Sequence, residues 1–217
     1  MFFESVFPKG ERMNLAVFVS GSGTNLQAII DAVAEGKLSA KIRLVLSSRA
    51  DAFALRRAEK HGIPTVYLSS KEFDSREKFV RAMMETLQRH QVDFIALAGY
   101  MRRVPPEVVQ KFKNRITNIH PALLPAFGGK GMYGIRVHRA VIEYGCKVTG
   151  VTVHIVDEEY DHGPIVAQRC VPVLDDDTPE TLAARVLEVE HQLYPEVLQL
   201  FAEGRVIVEG RRVKIAK

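Results

Sequence analysis

Two residues suited to acyl chemistry stand two positions apart near the middle of the chain. Asn118 and His120, in Asn-Ile-His-Pro, open a long Pro/Gly-rich stretch that runs to Gly134. Residues i and i+2 of an extended chain lie on the same side, so an amide N–H donor and an imidazole would face one ligand. Together they can stabilise the oxyanion that forms when a carbonyl is attacked. The alternative, a strand end whose Asn and His bond only local backbone groups, stays open at this level.

An acidic segment farther along the chain offers a partner for that imidazole. Residues 157–164 read Asp-Glu-Glu-Tyr-Asp-His-Gly-Pro, and such a turn between strands is also typical of a solvent-exposed hairpin. Asp161 directly precedes His-Gly-Pro, so we expect its carboxylate near the end of a strand. Beside His120, it would raise the pKa of the imidazole and give an acid–base pair for neutral pH.

A glycine-rich segment, residues 20–25 (Ser-Gly-Ser-Gly-Thr-Asn), lies between a strand-like run and a helical pattern. Backbone N–H groups in such a turn, at the positive end of a helix, bind phosphate. A dinucleotide fingerprint needs a third glycine and a later acid, and a P-loop needs Gly-Lys-Ser/Thr. Asn25 and Leu26 follow here instead. The pattern therefore favours a monophosphate and argues against a nucleotide-dependent oxidoreductase.

These segments require a scaffold of alternating strands and helices. Solid apolar runs alternate with helical apolar spacing in the first half, which is typical of an α/β fold with a parallel sheet covered on both faces. The second half is mixed and ends in a long helix, with acidic residues at its start, and a hairpin. We predict strands at 15–19, 42–46, 65–68, 94–98, 116–119, 148–156 and 165–173, a hairpin at 206–215, and helices at 26–33, 52–61, 75–90, 137–144 and 181–202.

The composition is that of a globular protein. The chain has 217 residues, 47% hydrophobic and 26% charged, with a net charge of +4, which excludes disordered and fibrous classes. The mild basic excess suits anionic small molecules and is too scattered for nucleic acid. The 2 cysteines stand alone and no zinc-ligand spacing occurs, so we expect no metal and a reducing, cytoplasmic location. We find no signal peptide or membrane-length apolar run, and expect a short extension at 1–12 before one domain at 13–217.

Four motifs, in this order, resemble the folate-dependent formyltransferases. They are Ser-Gly-Ser-Gly-Thr-Asn-Leu-Gln at 20–27, Leu-Ala-Gly-Tyr-Met-Arg at 97–102, Asn-Ile-His-Pro-Ala-Leu-Leu-Pro at 118–125 and Asp-His-Gly-Pro at 161–164. The third and fourth motifs are specific to that family. The first narrows the resemblance to its phosphoribosylglycinamide formyltransferase branch, and the similarity runs from Met13 to about Arg205.

The resemblance implies a Rossmann-like fold, a cis peptide at Leu124–Pro125 and a set of site residues. Asn118, His120 and Asp161 match the catalytic trio of the family. Substrate-binding positions match Gly23, Thr24, Asn25 and Glu190, and the folate side matches Arg76, Met101, Arg102, Arg103, Val104, Asn118, Asp157, Glu158, Glu159, Tyr160 and Asp161. Arg103 and Val104 replace bulkier, more apolar residues that are frequent in the family.

One segment departs from the compact form of the family. After Leu-Leu-Pro the chain continues Ala-Phe-Gly-Gly-Lys-Gly-Met-Tyr-Gly-Ile-Arg-Val-His, residues 126–138. Compact members reach the histidine through a short Pro-Gly turn. We hypothesise that residues 126–136 form a mobile lid, since the glycines would let the loop move.

The activity implied by the resemblance is formyl transfer from 10-formyltetrahydrofolate to the amine of phosphoribosylglycinamide in purine biosynthesis. Asn118 and a protonated His120 would stabilise the tetrahedral oxyanion, Asp161 would keep His120 charged, and no covalent enzyme intermediate is needed. The nearest alternative is a formyltetrahydrofolate hydrolase, which usually carries an additional N-terminal domain. A methionyl-tRNA formyltransferase would need an RNA-binding domain. We expect only small-molecule partners, no nucleic acid or membrane, and a monomer or homodimer.

Overall fold

The computed structural model describes residues 6–7 and 12–216, and the bounds of its elements are as follows. The strands are β1 (Met13–Val19), β2 (Ala40–Ser47), β3 (Thr65–Tyr67), β4 (Phe94–Leu97), β5 (Ile116–His120), β6 (Val148–Ile155), β7 (Ile165–Pro172), β8 (Val206–Glu209) and β9 (Arg212–Ile215). The helices are α1 (Thr24–Ala34), α2 (Phe53–Lys60), α3 (Arg76–Arg89), α4 (Pro106–Lys111), α5 (Ile135–Glu143) and α6 (Pro179–Ala202), with a 3-10 turn at Ser70–Glu72.

A seven-stranded sheet in the order β3-β2-β1-β4-β5-β6-β7 forms the centre, and β8 and β9 form a separate hairpin. The pairs from β3 to β5 are parallel, whereas β6 is antiparallel to both its neighbours. The structure confirms the predicted α/β fold. Its sheet is Rossmann-like and mostly parallel, with mixed strands in the C-terminal half.

Two apolar cores lie on opposite faces of this sheet. Alternate residues of β1 point to each: Leu15 and Val17 pack in the core that includes α1 and α6, and Ala16 and Phe18 pack in the core that includes α3 and α4. All four side chains are 0% exposed. Because β1 is buried on both faces, its sequence is a continuous apolar run rather than an alternating one.

The order of the strands in the sheet determines where a ligand site can form. β1 pairs with β2 on one side and β4 on the other, so the connections leaving β1 and β4 diverge to opposite sides. In open α/β sheets such a switch point leaves a crevice outside the carboxyl ends of the strands. The glycine-rich turn after β1, the segment after β4 and the long loop after β5 all start at this edge.

The predicted element positions hold to within two residues, and the 3-10 turn at Ser70–Glu72 is one of two short elements without a prediction. The six-residue helix α4, with Pro106 in its first turn, was not predicted. The peptide Leu124–Pro125 is cis, as the resemblance implied. Of the expected extension, Val6 donates its N–H to the carbonyl of Val206 at 3.0 Å and Phe7 is buried. Residues 1–5 and 8–11 lie outside the described residues, and the division at residue 12 stays a prediction.

Candidate active site

A cavity of about 420 Å³ opens at the carboxyl edge of the sheet. Its walls come from distant parts of the chain: the turn 21–25, residues 98–101, Asn118 to Pro121, the loop 129–135, Tyr160 and Asp161, and α6. Of the predicted site residues, the structure brings nine to this cavity: Gly23, Thr24, Asn25, Met101, Asn118, His120, Tyr160, Asp161 and Glu190.

Asn118 is held by a histidine on the neighbouring strand. The β5–β6 register places Asn118 opposite His154, and Asn118 Nδ2 lies 3.1 Å from His154 Nε2. His154 Nδ1 is 2.9 Å from the carbonyl of Ile155, to which it donates. With its hydrogen on Nδ1, the ring can accept from the Asn118 amide at Nε2. This contact fixes the Asn118 side chain at the end of β5.

The carboxylate of Asp161 lies close to Asn118, to the backbone of Gly129 and to two histidines. Its Oδ1 accepts from Asn118 Nδ2 at 3.3 Å and lies 3.6 Å from His154 Nε2. Its Oδ2 accepts from the backbone N–H of Gly129 at 2.9 Å and lies 3.7 Å from His120 Nδ1. Burial opposes ionisation and is the largest influence on this carboxyl, yet the net effect of its surroundings, which include His120 and the Gly129 N–H, is to lower its pKa. Asp161 is therefore an ionised carboxylate inside the cavity wall.

His120 has an acceptor at each ring nitrogen. Nε2 is 2.9 Å from the carbonyl of Phe127 and Nδ1 faces Asp161. The ring is buried, and this burial lowers its pKa even though Asp161 and Phe127 act to raise it. We expected Asp161 to keep the imidazole charged. In the ligand-free protein desolvation outweighs this pairing, and the role of Asp161 in charging the ring during the reaction stays a prediction.

The glycine-rich turn has the geometry of an anion site. Gly23 precedes α1 with φ +73°, a left-handed conformation, and no side chain caps the helix. Within the described residues, no group accepts a hydrogen bond from the backbone N–H of residues 22–25. Free N–H groups at a helix N-terminus attract negative charge.

Glu190 and Asn25 form a buried polar pair beside that turn. Asn25 Nδ2 donates to Glu190 Oε2 at 2.8 Å, and Glu190 is 7% exposed. Burial raises the pKa of Glu190 to about 7, with the Asn25 hydrogen bond acting in the opposite direction. The Oδ1 atom of Asn25 is buried without a partner in the described part of the chain. A ligand donor in the cavity would satisfy it.

The remaining residues predicted for the folate side lie outside the cavity lining. Arg76 makes a two-bond ion pair with Glu107, both bonds 2.8 Å. Arg103 donates to the carbonyl of Glu158, and Asp157 Oδ2 lies 2.8 Å from His162 Nδ1. The set outside the lining is Arg76, Arg102, Arg103, Val104, Asp157, Glu158 and Glu159. Val104 is buried in a core and has no free surface for a ligand.

Sequence reasoning missed two histidines at the site. His154 was read only as part of an apolar strand, and its role depends on a strand register that no local pattern reveals. His138, on α5, lines the cavity at 4% exposure, and its Nδ1 is buried with no partner among the described residues. Burial lowers the pKa of His138 to about 4, so the ring is neutral.

Two kinds of feature are absent from the described residues. No group of three or more His, Cys, Asp or Glu side chains in that part of the chain is arranged to hold a metal ion. No helix there has the length and hydropathy that a membrane span requires.

The fold and the cavity define a class: an α/β protein that places an amide, an imidazole and a carboxylate beside a turn whose geometry suits an anion. The sequence model described as "Formyl transferase" matches residues 13–198. The chain therefore belongs to the formyl transferase family.

Named relatives and a solved structure agree with this membership. The phosphoribosylglycinamide formyltransferase of Escherichia coli is 42% identical over 89% of both chains. The chloroplastic enzyme of that name from Vigna unguiculata is 44% identical over 90% of this chain, which spans 63% of the plant protein's length. The structure of glycinamide ribonucleotide transformylase 1 from Symbiobacterium toebii superposes with a TM-score of 0.90 at 46% identity, covering 96% of both chains.

Proposed function

We propose that this protein transfers the formyl group of 10-formyltetrahydrofolate to the amine of phosphoribosylglycinamide, a step of purine biosynthesis. The observation that carries the proposal is the contact of Asn118, His120 and Asp161 in one cavity wall. The names of the relatives support the choice of substrates. The anion-binding turn supports a phosphorylated acceptor.

Binding is divided between two sides of the cavity. The backbone N–H groups of Gly23, Thr24 and Asn25 bind the phosphate, and Glu190 binds the sugar–glycinamide part through polar contacts. The folate lies toward Met101 and Tyr160, whose side chains are 49% and 48% exposed. Except for the buried Val104, the residues outside the lining, Arg76 among them, contact its more distant parts.

Catalysis begins with attack of the amine nitrogen on the formyl carbon, which puts negative charge on the formyl oxygen. Asn118 donates to that oxygen. Both amide hydrogens of Asn118 already have acceptors, His154 at 3.1 Å and Asp161 at 3.3 Å, so one bond must be exchanged. The longer bond, to Asp161, is the one given up.

The exchange at Asn118 affects the proton equilibrium of its neighbours. A carboxylate that loses a hydrogen bond has a higher pKa and interacts more strongly with a nearby cation. Asp161 therefore stabilises His120 in its charged form when the ring takes the proton released by the attacking amine. His120 then returns that proton toward the folate nitrogen as the C–N bond breaks. Transfer is direct, with no covalent enzyme intermediate and no metal.

One assay tests the proposal against hydrolysis. The purified protein is incubated with 10-formyltetrahydrofolate, with and without phosphoribosylglycinamide, and release of tetrahydrofolate is followed. Release that requires the amine supports transfer. Equal release without it would replace the proposal with a formyltetrahydrofolate hydrolase, and no release in either case would refute both.

We further propose a cytoplasmic location and small-molecule partners only, with a monomer or homodimer as the working assembly. The absence of a strong basic stripe in the sequence supports the exclusion of nucleic acid. Sedimentation of the purified protein would decide between the two assemblies.

A further inference from the structure

Helix α2 packs against the glycine-rich turn and donates hydrogen bonds to two of its carbonyl groups. The backbone N–H of Ala54 donates to the carbonyl of Gly21 at 3.1 Å, and Arg57 Nε donates to the carbonyl of Ser22 at 2.9 Å. A Cβ on Gly23 would come within 2.5 Å of the Ala54 Cβ. Three successive residues of the turn therefore rest against one face of α2.

These two hydrogen bonds determine where the N–H groups of the turn point. In a trans peptide the C=O and the N–H of one unit point in opposite directions. Holding the Gly21 carbonyl toward α2 thus turns the N–H of Ser22 away from it. Holding the Ser22 carbonyl does the same for the N–H of Gly23. Both N–H groups lack a protein acceptor within the described residues, and both residues line the cavity.

Arg57 is itself well placed for this role. Its guanidinium lies over the ring of Phe53, 5.0 Å from the centroid, and Nη1 is 3.4 Å from Oε1 of Gln27 on α1. None of the ion pairs among the described residues includes Arg57. Arg57 does not line the active-site cavity, so a short-range effect on a ligand there has to pass through the turn.

We propose that Arg57 is a positioning residue for the phosphate group of the acceptor substrate: its Nε, by holding the Ser22 carbonyl, aims the N–H of Gly23 at the phosphate. This inference rests on the proposed function for the identity of the substrate. It assigns a role to a side chain that sequence reasoning left out of the site.

Two substitutions separate the hydrogen bond from the charge. In Arg57→Gln, the Nε2 donor is the same number of bonds from Cα as the arginine Nε, and the charge is lost. Arg57→Met has a similar length with neither donor nor charge. Arg56→Met removes a charge from the neighbouring position of α2, where the side chain is exposed, and serves as the control. Thermal unfolding of each variant checks that the fold is retained.

The readouts are the KM and kcat for phosphoribosylglycinamide, the same constants for its dephosphorylated riboside, and binding of inorganic phosphate by titration. Loss of one well-aimed bond to a charged group should raise KM for the phosphorylated substrate about tenfold in Arg57→Met. We expect KM for the riboside and kcat to stay within about twofold, and Arg57→Gln to recover most of the loss. Phosphate affinity should fall in parallel.

Three results would overturn the inference: equal losses in Arg57→Gln and Arg57→Met, equal losses for the riboside, or an equal loss in Arg56→Met. The first and third would mean that charge alone acts on the ligand. The second would mean that the turn is disturbed as a whole. If the wild-type protein uses no phosphoribosylglycinamide, the proposed function fails, and phosphate titration still tests the role of Arg57.

Discussion

Replacing Glu190 by glutamine should stabilise the fold above pH 7 and leave its stability unchanged near pH 4. In the folded protein, burial raises the pKa of this carboxyl to about 7, whereas an unfolded glutamate titrates near 4.3. Between these pH values the folded state holds a proton that the unfolded state has lost. The free energy of unfolding therefore falls as pH rises through this range.

The size of the effect follows from the separation of the two pKa values. At 1.36 kcal/mol per pKa unit this separation amounts to roughly 4 kcal/mol, and the carboxyl is buried at 7% exposure, so solvent screening removes little of it. Glutamine is neutral at every pH and keeps an oxygen that can accept from Asn25. The variant avoids the cost of burying a charge at alkaline pH.

Urea unfolding at pH 4 and pH 8.5 measures the difference. We expect Glu190→Gln and the wild type to have similar free energies of unfolding at pH 4, and the variant to be more stable by about 3–4 kcal/mol at pH 8.5. Glu188→Gln, at an exposed position two residues earlier on α6, controls for net charge. A gain for Glu190→Gln that is equal at both pH values, or matched by Glu188→Gln, would refute the reasoning.

Three further substitutions test other parts of the cavity. Asn118→Ala should lower kcat by two to three powers of ten, because one donor to the developing oxyanion is lost; initial rates at saturating substrates measure this, and a wild-type rate would remove Asn118 from catalysis. Gly23→Ala should raise KM for the phosphorylated substrate, because its Cβ would clash with α2. The control Gly36→Ala has the same φ of +73° and nothing within 4 Å of the added Cβ, so it should cost only about 1 kcal/mol of stability in urea unfolding. Equal KM values for the two variants would contradict this. Gly128→Ala should reduce kcat, because its Cβ would lie 2.5 Å from Cδ2 of Leu124 and 3.2 Å from the Cβ of Asp161. Unchanged kinetics would show that the loop absorbs these contacts.

The elements of the fold follow from local patterns, and the sequence locates most of them. Solid apolar runs identified the buried strands, and apolar spacing located the helix faces. Helix α4 was not predicted, because its six residues form fewer than two turns and show too little apolar periodicity. Its one local cue, a proline in the first turn, is equally common in loops.

Only some of the residues that form the site could be predicted from the sequence. Asn118 and His120 are two positions apart on one strand, so strand geometry alone puts them together. His154 joins them through the pairing of β5 with β6, and Gly129 reaches Asp161 at 2.9 Å across a loop. Such contacts depend on register and loop path, which carry no signal in the local sequence. The reactive groups could therefore be predicted from the sequence, whereas the residues that hold them in place could not.

The lowered pKa of His120 has a physical origin that bears on the chemistry. A carboxylate in the neighbourhood of a histidine suggests a raised pKa, but the sequence does not reveal how deeply the ring is buried. In the structure both ring nitrogens face acceptors, Phe127 and Asp161, an arrangement that only the doubly protonated ring satisfies. Burial nevertheless lowers its pKa. The neutral ring thus has one nitrogen lone pair directed at a carboxylate, and this state is relieved when a proton arrives. A base that gains a favourable contact on protonation suits an amine that becomes acidic only after it has attacked the formyl carbon.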